Sequence, residues 1–422
     1  MRIVYLNPCG QMGGAETSLR ELLASLRTAE PAWDLHLALG EDGPLTSIAR
    51  ELNVAVTVIP FPPALARIGD SGQGRLRTLW SLVKAAGGAA TYARRLARIL
   101  RDMQPDLIHT NGFKMHLLAS WIRPSKTALV WHIHDYVRRR PLMSRMLRRY
   151  SKQCAAAVVN SKSVAADLRA LCPDLQVVPI YNAVDLDRFA PIGGKLDLDG
   201  ITGLPPAAPG TVRVGLVATF ARWKGHKIFL EALSRLPADL SVRGYIIGGP
   251  IYQTNGSQWS LQELRQQAGR LGLGDRVGFT GFLSDTALAM RSLDVIVHAS
   301  TEPEPFGMVI AEGMACGKAV IACQAGGASE LFVDGENALA HSPGDVDGLA
   351  AQILRLASDG ELRRQLGKAG RARAEQLYDR KRLAHELLAV YRNVRGPSRE
   401  IPGEPIHVES EPVVESSSAH AG

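Results

Sequence analysis

Apolar residues recur along this 422-residue chain in two rhythms. Short runs of β-branched and aliphatic residues alternate with longer stretches whose apolar positions fall every three or four residues, as in Leu19, Leu22, Leu23 and Leu26. The short runs predict buried parallel strands and the long ones amphipathic helices, the βαβ pattern. It is played twice. The first series predicts strands at 3–6, 35–39, 54–59, 107–109, 129–132, 157–159 and 177–180; the second predicts them at 212–218, 245–247, 277–280, 295–299 and 319–322. Between the two lies a Pro- and Gly-rich stretch, 189–211, expected as a linker or surface excursion. The expected fold is α/β, with Rossmann-like domains at 1–188 and 212–377 facing across a cleft and ligands outside the strand C-terminal ends. A helical pattern follows at 378–396, and 397–422 turns polar with Pro, Ser and Glu and is expected to be disordered.

Composition narrows the class. The five cysteines are odd in number and scattered, with no pair at metal-ligand spacing, so neither a disulfide framework nor a zinc site is expected, and a reducing, cytoplasmic setting fits. The first residues read as a β-run rather than a signal segment, and no apolar stretch reaches the roughly 18 residues that cross a bilayer. The net charge is +8, and two basic segments carry apolar residues at helical spacing: 138–149 with Leu142, Met143, Met146 and Leu147, and 67–101 with Leu76, Leu79, Trp80, Leu82 and Val83. Such helices bind anionic membrane surfaces, so peripheral attachment to the inner face of the membrane is expected. No helix-turn-helix, RNP-like or zinc-finger signature accompanies the charge, and no nucleic-acid partner is expected.

Chemistry concentrates at 295–335. A strand feeds a loop with Glu302 and Glu304, Phe306-Gly307 follows, and a helical segment opens at Met308 with Glu312 a turn inside. Free amides and the positive dipole end at such a junction suit a diphosphate, Gly307 permits close approach, and Glu312 can accept hydrogen bonds from vicinal ribose hydroxyls. With Gly326-Gly327 before Glu330, this segment resembles the donor site of retaining glycosyltransferases of family four, which have the GT-B fold. The resemblance covers nearly all of the chain to about Val394 and implies that 378–396 is a helix crossing back to the first domain. It implies donor contacts at Phe306, Gly307, Met308, Val309 and Glu312, with Glu304 beside the sugar.

Further motifs match the family. Gly13-Gly14, after the first strand, resembles the loop that approaches the diphosphate. Lys224-Gly225 matches the diphosphate-binding lysine, whereas the arginine that many relatives carry five residues earlier is Thr219 here, leaving Arg222 as a substitute. His134-Asp135 resembles the active-site histidine at a strand end; Asn182, in Tyr181-Asn182-Ala183-Val184-Asp185, resembles the N-G-V-D turn with Ala183 replacing Gly. Asn111, in His109-Thr110-Asn111-Gly112, also ends a strand at the cleft.

The resemblance implies transfer of a sugar from a UDP- or GDP-linked donor to a hydroxyl of a glycan or lipid-linked acceptor with retention, in cell-surface polysaccharide or glycolipid synthesis. His134 and Glu304 are the expected catalytic pair. Neither metal nor cofactor is expected, because no D-x-D is read at a strand end in the cleft; Asp197-Leu198-Asp199 has that form but falls in the 189–211 stretch. Two rivals share the architecture. A nucleotide-sugar epimerase would isomerise the donor without acceptor, and a non-catalytic nucleotide-sugar-binding protein would lack His134 or Glu304.

Overall fold

The computed structural model describes residues 1–62, 75–250 and 257–395. Two wholly parallel sheets form its frame. The first comprises β1 (Arg2–Asn7), β2 (Asp34–Leu39), β3 (Ala55–Val58), β4 (Leu107–Asn111), β5 (Ala128–Ile133), β6 (Ala156–Val159) and β7 (Val177–Pro179), in the order β3-β2-β1-β4-β5-β6-β7. The second comprises β8 (Val212–Val217), β9 (Val242–Ile247), β10 (Val277–Gly281), β11 (Val295–His298), β12 (Ala319–Cys323) and β13 (Leu339–His341), in the order β10-β9-β8-β11-β12-β13. Helices cover both faces, which is why the strands are apolar on both sides. The strand β13 escaped the sequence pattern because Leu339-Ala340-His341 has no β-branched residue; it is held at the edge by its ladder to β12.

Each sheet reverses its strand order once, between β1 and β4 and between β8 and β11. A crevice opens at such a switch point outside the strand C-terminal ends. Asn7 and Asn111 end the strands flanking the first crevice; Val217 and His298 end those flanking the second.

The 189–211 stretch is not a loose linker throughout. It contains the helix Leu198–Thr202, and Asp199 is buried, accepting hydrogen bonds from Arg243 at 2.6 Å, Tyr245 at 2.6 Å and the Ala207 amide at 3.0 Å. Burial alone would raise the Asp199 carboxyl, but these donors hold it well below the usual range. Arg213 of β8 also donates to Asp199, at 3.3 Å, so Asp197-Leu198-Asp199 is a clamp onto β8 and β9.

The helix Arg380–Arg395 crosses to the first domain and packs against the helix Gly14–Ala29. Leu383, Leu387 and Tyr391 enter the core beneath β1, and the Tyr391 hydroxyl bonds His109 Nδ1 at 2.8 Å. Arg380 pins the crossing by pairing with buried Glu21 at 2.5 Å and with Asp185 at 2.9 Å. The expected disorder of 397–422 lies outside the described residues, as do Arg67 and the side chains of 75–86 in the second basic segment. Among the described residues, no helix is long and apolar enough to cross a membrane.

Candidate active site

The second switch point is built from the loop between β11 and the helix Met308–Ala315. Gly307 caps that helix at φ +102°, a left-handed conformation that glycine adopts without strain. The Met308 and Val309 amides open the helix and make no hydrogen bond among the described residues, so they present the positive end of the helix to the cleft. Gly326-Gly327 clamps the loop from behind: the Gly327 amide donates to the Glu304 carbonyl at 2.8 Å. A Cβ on Gly326 would strike the Tyr136 hydroxyl, and one on Gly327 the Pro305 carbonyl.

This clamp presents the buried Glu304 carboxylate to a closed set of partners. Lys224 Nζ donates to Oε1 at 2.5 Å, while His298 Nε2 at 2.6 Å and Ser300 Oγ at 2.7 Å donate to Oε2. The Cys323 amide donates to His298 Nδ1 at 3.3 Å, which fixes the proton on Nε2. Burial pushes the Glu304 carboxyl up, yet Lys224 and His298 outweigh it and hold the group well below the usual carboxylate range.

Glu312, eight residues on, behaves oppositely. Its carboxyl makes no hydrogen bond among the described residues, and burial pushes it up to about 7 against the opposing fields of Arg188 and Arg20. Arg20 belongs to the helix Gly14–Ala29, so Glu312 is sensed across the cleft by the first domain.

In the first domain, the switch-point side chains form a chain of hydrogen bonds. Asn7 Nδ2 donates to Glu16 at 3.3 Å, Asn111 Nδ2 donates to Asn7 Oδ1 at 2.7 Å, and His134 Nε2 donates to Asn111 Oδ1 at 2.5 Å. The bond to Asn111 keeps the proton on Nε2 and leaves Nδ1 as an acceptor. Burial lowers His134 to about 4, so the imidazole is neutral at physiological pH. Its ring lies against that of His132, tilted by 36° with centroids 4.0 Å apart, and among the described residues no third ligand joins the two into a metal site.

Gly13 caps the helix Gly14–Ala29, and a side chain at Gly14 would meet open space. Three expected contacts fall elsewhere. Arg222 lies over the Trp259 ring at 3.8 Å and pairs with Glu263 at 3.1 Å, because the turn that aims Lys224 at Glu304 aims its neighbour at the helix Leu261–Arg270. Asn182 is buried and accepts from Ser18 at 2.7 Å, which fastens the chain crossing to the first helix. The Phe306 ring is buried between Tyr181 and Tyr378, leaving only its backbone near the cleft. Conversely, the motifs do not point to Asn7, His298 or Ser300. All three stand at or just past strand ends, and that position at a switch point was the available signal.

Two facing Rossmann-like sheets with these crevices opposed define a GT-B fold. Residues 12–188 match the family described as Glycosyltransferase Family 4, and residues 207–373 match Glycosyl transferases group 1. The chain belongs to this glycosyltransferase family. It is 29% identical over 222 residues to the lipopolysaccharide core biosynthesis glycosyltransferase LpsE of Rhizobium meliloti, covering 52% of this chain and 59% of that protein. It is 31% identical over 211 residues to the D-inositol 3-phosphate glycosyltransferase of Streptomyces bingchenggensis, covering 48% and 45%. The chain thus spans about half the length of these curated relatives. Among solved structures, HepE of Anabaena in complex with UDP-glucose superposes with a TM-score of 0.73 at 25% identity, over 92% of this chain and 99% of that one.

Proposed function

We propose that this chain is a retaining glycosyltransferase that moves a sugar from a UDP- or GDP-linked donor to a hydroxyl of a glycan or lipid-linked acceptor, in cell-surface polysaccharide or glycolipid synthesis. The observation that carries the reading is the Lys224–Glu304 pair beside the open amides of Met308 and Val309, with neutral His134 in the facing domain. The UDP-glucose bound by the Anabaena relative favours a uridine donor.

In the proposed ground state, the diphosphate takes Lys224 Nζ from Glu304 and lies against the Met308 and Val309 amides. Glu304 keeps His298 and Ser300 on Oε2, so the vacated Oε1 turns to a sugar hydroxyl. Glu312 accepts from the ribose hydroxyls, and His134 Nδ1 accepts from a hydroxyl at the sugar's other edge. The acceptor oxygen bonds to the anomeric carbon on the face from which the diphosphate leaves, and its proton passes to the departing phosphate oxygen. Lys224 and the helix terminus supply the positive charge that the leaving group needs. Transfer is therefore expected to persist in EDTA, and loss in chelator with recovery in manganese or magnesium would overturn that part.

The outward face of the helix Pro141–Tyr150 carries Leu142, Arg145, Met146 and Arg149, all exposed, and Trp121 is exposed on the neighbouring helix Phe113–Ile122. We assign this face to an anionic membrane surface, where apolar insertion and charge attraction add. Arg139 and Arg140 of the same basic run face Glu302 and Asp135 instead.

The deciding experiment is a thermal-shift screen with UDP-, GDP- and ADP-sugars, followed by proton NMR of the product formed from the stabilising donor. A product with the donor's anomeric configuration supports the reading. An inverted product, or a sugar isomerised without acceptor, refutes it.

A further inference from the structure

We infer that Tyr136 and Glu330 form a polar latch that sets the angle between the two domains, and through it the approach of His134 to Glu304. Glu330 ends the short turn Gly327–Glu330 of the second domain, but its carboxylate serves the first. It accepts from the Lys162 amide at 2.8 Å and the Ser163 amide at 2.7 Å, the first two amides of the helix Lys162–Leu171, and from the Tyr181 hydroxyl at 3.0 Å. That helix has its own cap, Ser161, whose hydroxyl takes only the Val164 amide. The remaining donors at this positive helix end are thus completed by a carboxylate from the other domain.

Tyr136 makes the complementary reach. Two residues beyond His134, its hydroxyl bonds Ser163 Oγ at 2.9 Å, donates to the Glu304 carbonyl at 3.3 Å and accepts from the Gly327 amide at 3.2 Å. Arg139 lies over the Tyr136 ring at 4.9 Å and donates to the Pro303 carbonyl at 3.3 Å. The segment that carries the first-domain histidine is therefore bonded to the backbone of the loop that carries the second-domain carboxylate. Among the described residues, neither Tyr136 nor Glu330 hydrogen-bonds the Glu304 carboxylate, Lys224 or Glu312.

The character of these contacts makes the latch reversible. Every group in it can be satisfied by water once the domains part, so opening costs little net hydrogen bonding. The crossover beside it is different: Phe306 and Tyr378 meet Tyr181 in an aromatic cluster, and Leu383, Leu387 and Tyr391 are buried in the first domain. Parting those would expose apolar surface. An apolar hinge with a polar latch alongside allows rotation without separation.

The test uses the full chain and the variants Tyr136→Phe and Glu330→Gln. Small-angle scattering without ligand is expected to give a larger radius of gyration for both variants than for wild type, with the thermal midpoint nearly unchanged. Calorimetric affinity for UDP should stay within about twofold, while kcat with UDP-glucose falls roughly tenfold at little change in KM, the pattern of a lost alignment rather than a lost donor contact. An unchanged radius of gyration in both variants overturns the latch, as does a raised donor KM at constant kcat. The kinetic arm rests on the transferase reading. Should wild type bind no UDP and turn over no nucleotide sugar, that reading falls, while the scattering comparison still decides the latch.

Discussion

The two switch points that face each other across the cleft are built from opposite materials. At the first, Asn7, Asn111 and His134 pass hydrogen bonds from one to the next, all three uncharged at neutral pH, and Glu16 stands at the far end with its carboxyl pushed up by burial. At the second, Lys224 and Glu304 form a buried ion pair braced by His298 and Ser300. Neutral amides and imidazole can be buried with modest penalty once their bonds are complete, whereas a buried charge needs a partner. The difference teaches a division of labour: the first crevice suits hydroxyl groups, and the second holds a cation ready for an anion. Even within the second, Glu304 is pulled below the usual carboxylate range and Glu312 is pushed up to about 7, because only Glu304 has Lys224 beside it.

Removing Lys224 strikes the charged side hardest. Lys224→Ala leaves the buried Glu304 carboxylate without its cation, and should cost about 3 kcal/mol in urea unfolding at neutral pH as well as most of the donor affinity. Wild-type stability in that variant would break the contrast between the two crevices. The neutral side is tested by His134→Ala, which should preserve the fold and donor affinity and lower kcat about a hundredfold through loss of sugar alignment. A large rise in donor Kd instead would move His134 into the donor's charge-binding set.

Glu312→Ala should weaken donor binding by about 2 kcal/mol, the loss of a charge-assisted bond to the ribose, with a smaller effect on turnover of bound donor. Its raised pKa supplies an independent check. The ribose hydroxyls donate to the ionised form, so protonation competes with binding: donor affinity should be full above pH 7 and decline as pH falls through about 7, and Glu312→Gln should flatten that profile. A wild-type profile flat from pH 6 to pH 8 would remove Glu312 from the ribose. Smallest per residue is the membrane face, where neutralising Arg145, Arg148 and Arg149 should reduce binding to anionic vesicles by about 1 kcal/mol each, less at high salt. Equal sedimentation of wild type and triple variant would leave that face without a membrane role.

Several site features were legible because they are local. The strand before Glu304, the glycine before Met308 and the eight-residue step to Glu312 all follow from positions close in the chain. Arg222 shows the limit: it stands two residues from Lys224, yet the two side chains diverge to partners on different elements. The motifs place Asn182 and Phe306 at the cleft, yet both are buried, because the chain crossing at 181–189 needs anchors of its own. The strand β13, Leu339-Ala340-His341, was illegible because it has no β-branched residue to mark it, unlike the equally short β7, which opens on Val177-Val178.

Alternation of apolar positions by itself determined the two βαβ series, and the motifs determined the family, since both depend on residues near in sequence that share one element. Tertiary structure alone decided the pairings. Lys224 meets Glu304 because parallel crossovers bring distant strand ends together, whereas Arg380 meets Glu21 and Glu330 caps a helix of the other domain because the two domains pack against each other. It also decided protonation. Glu304 and Glu312 are the same residue type on one loop and helix, and their opposite shifts come from burial and from which cation the fold places within reach.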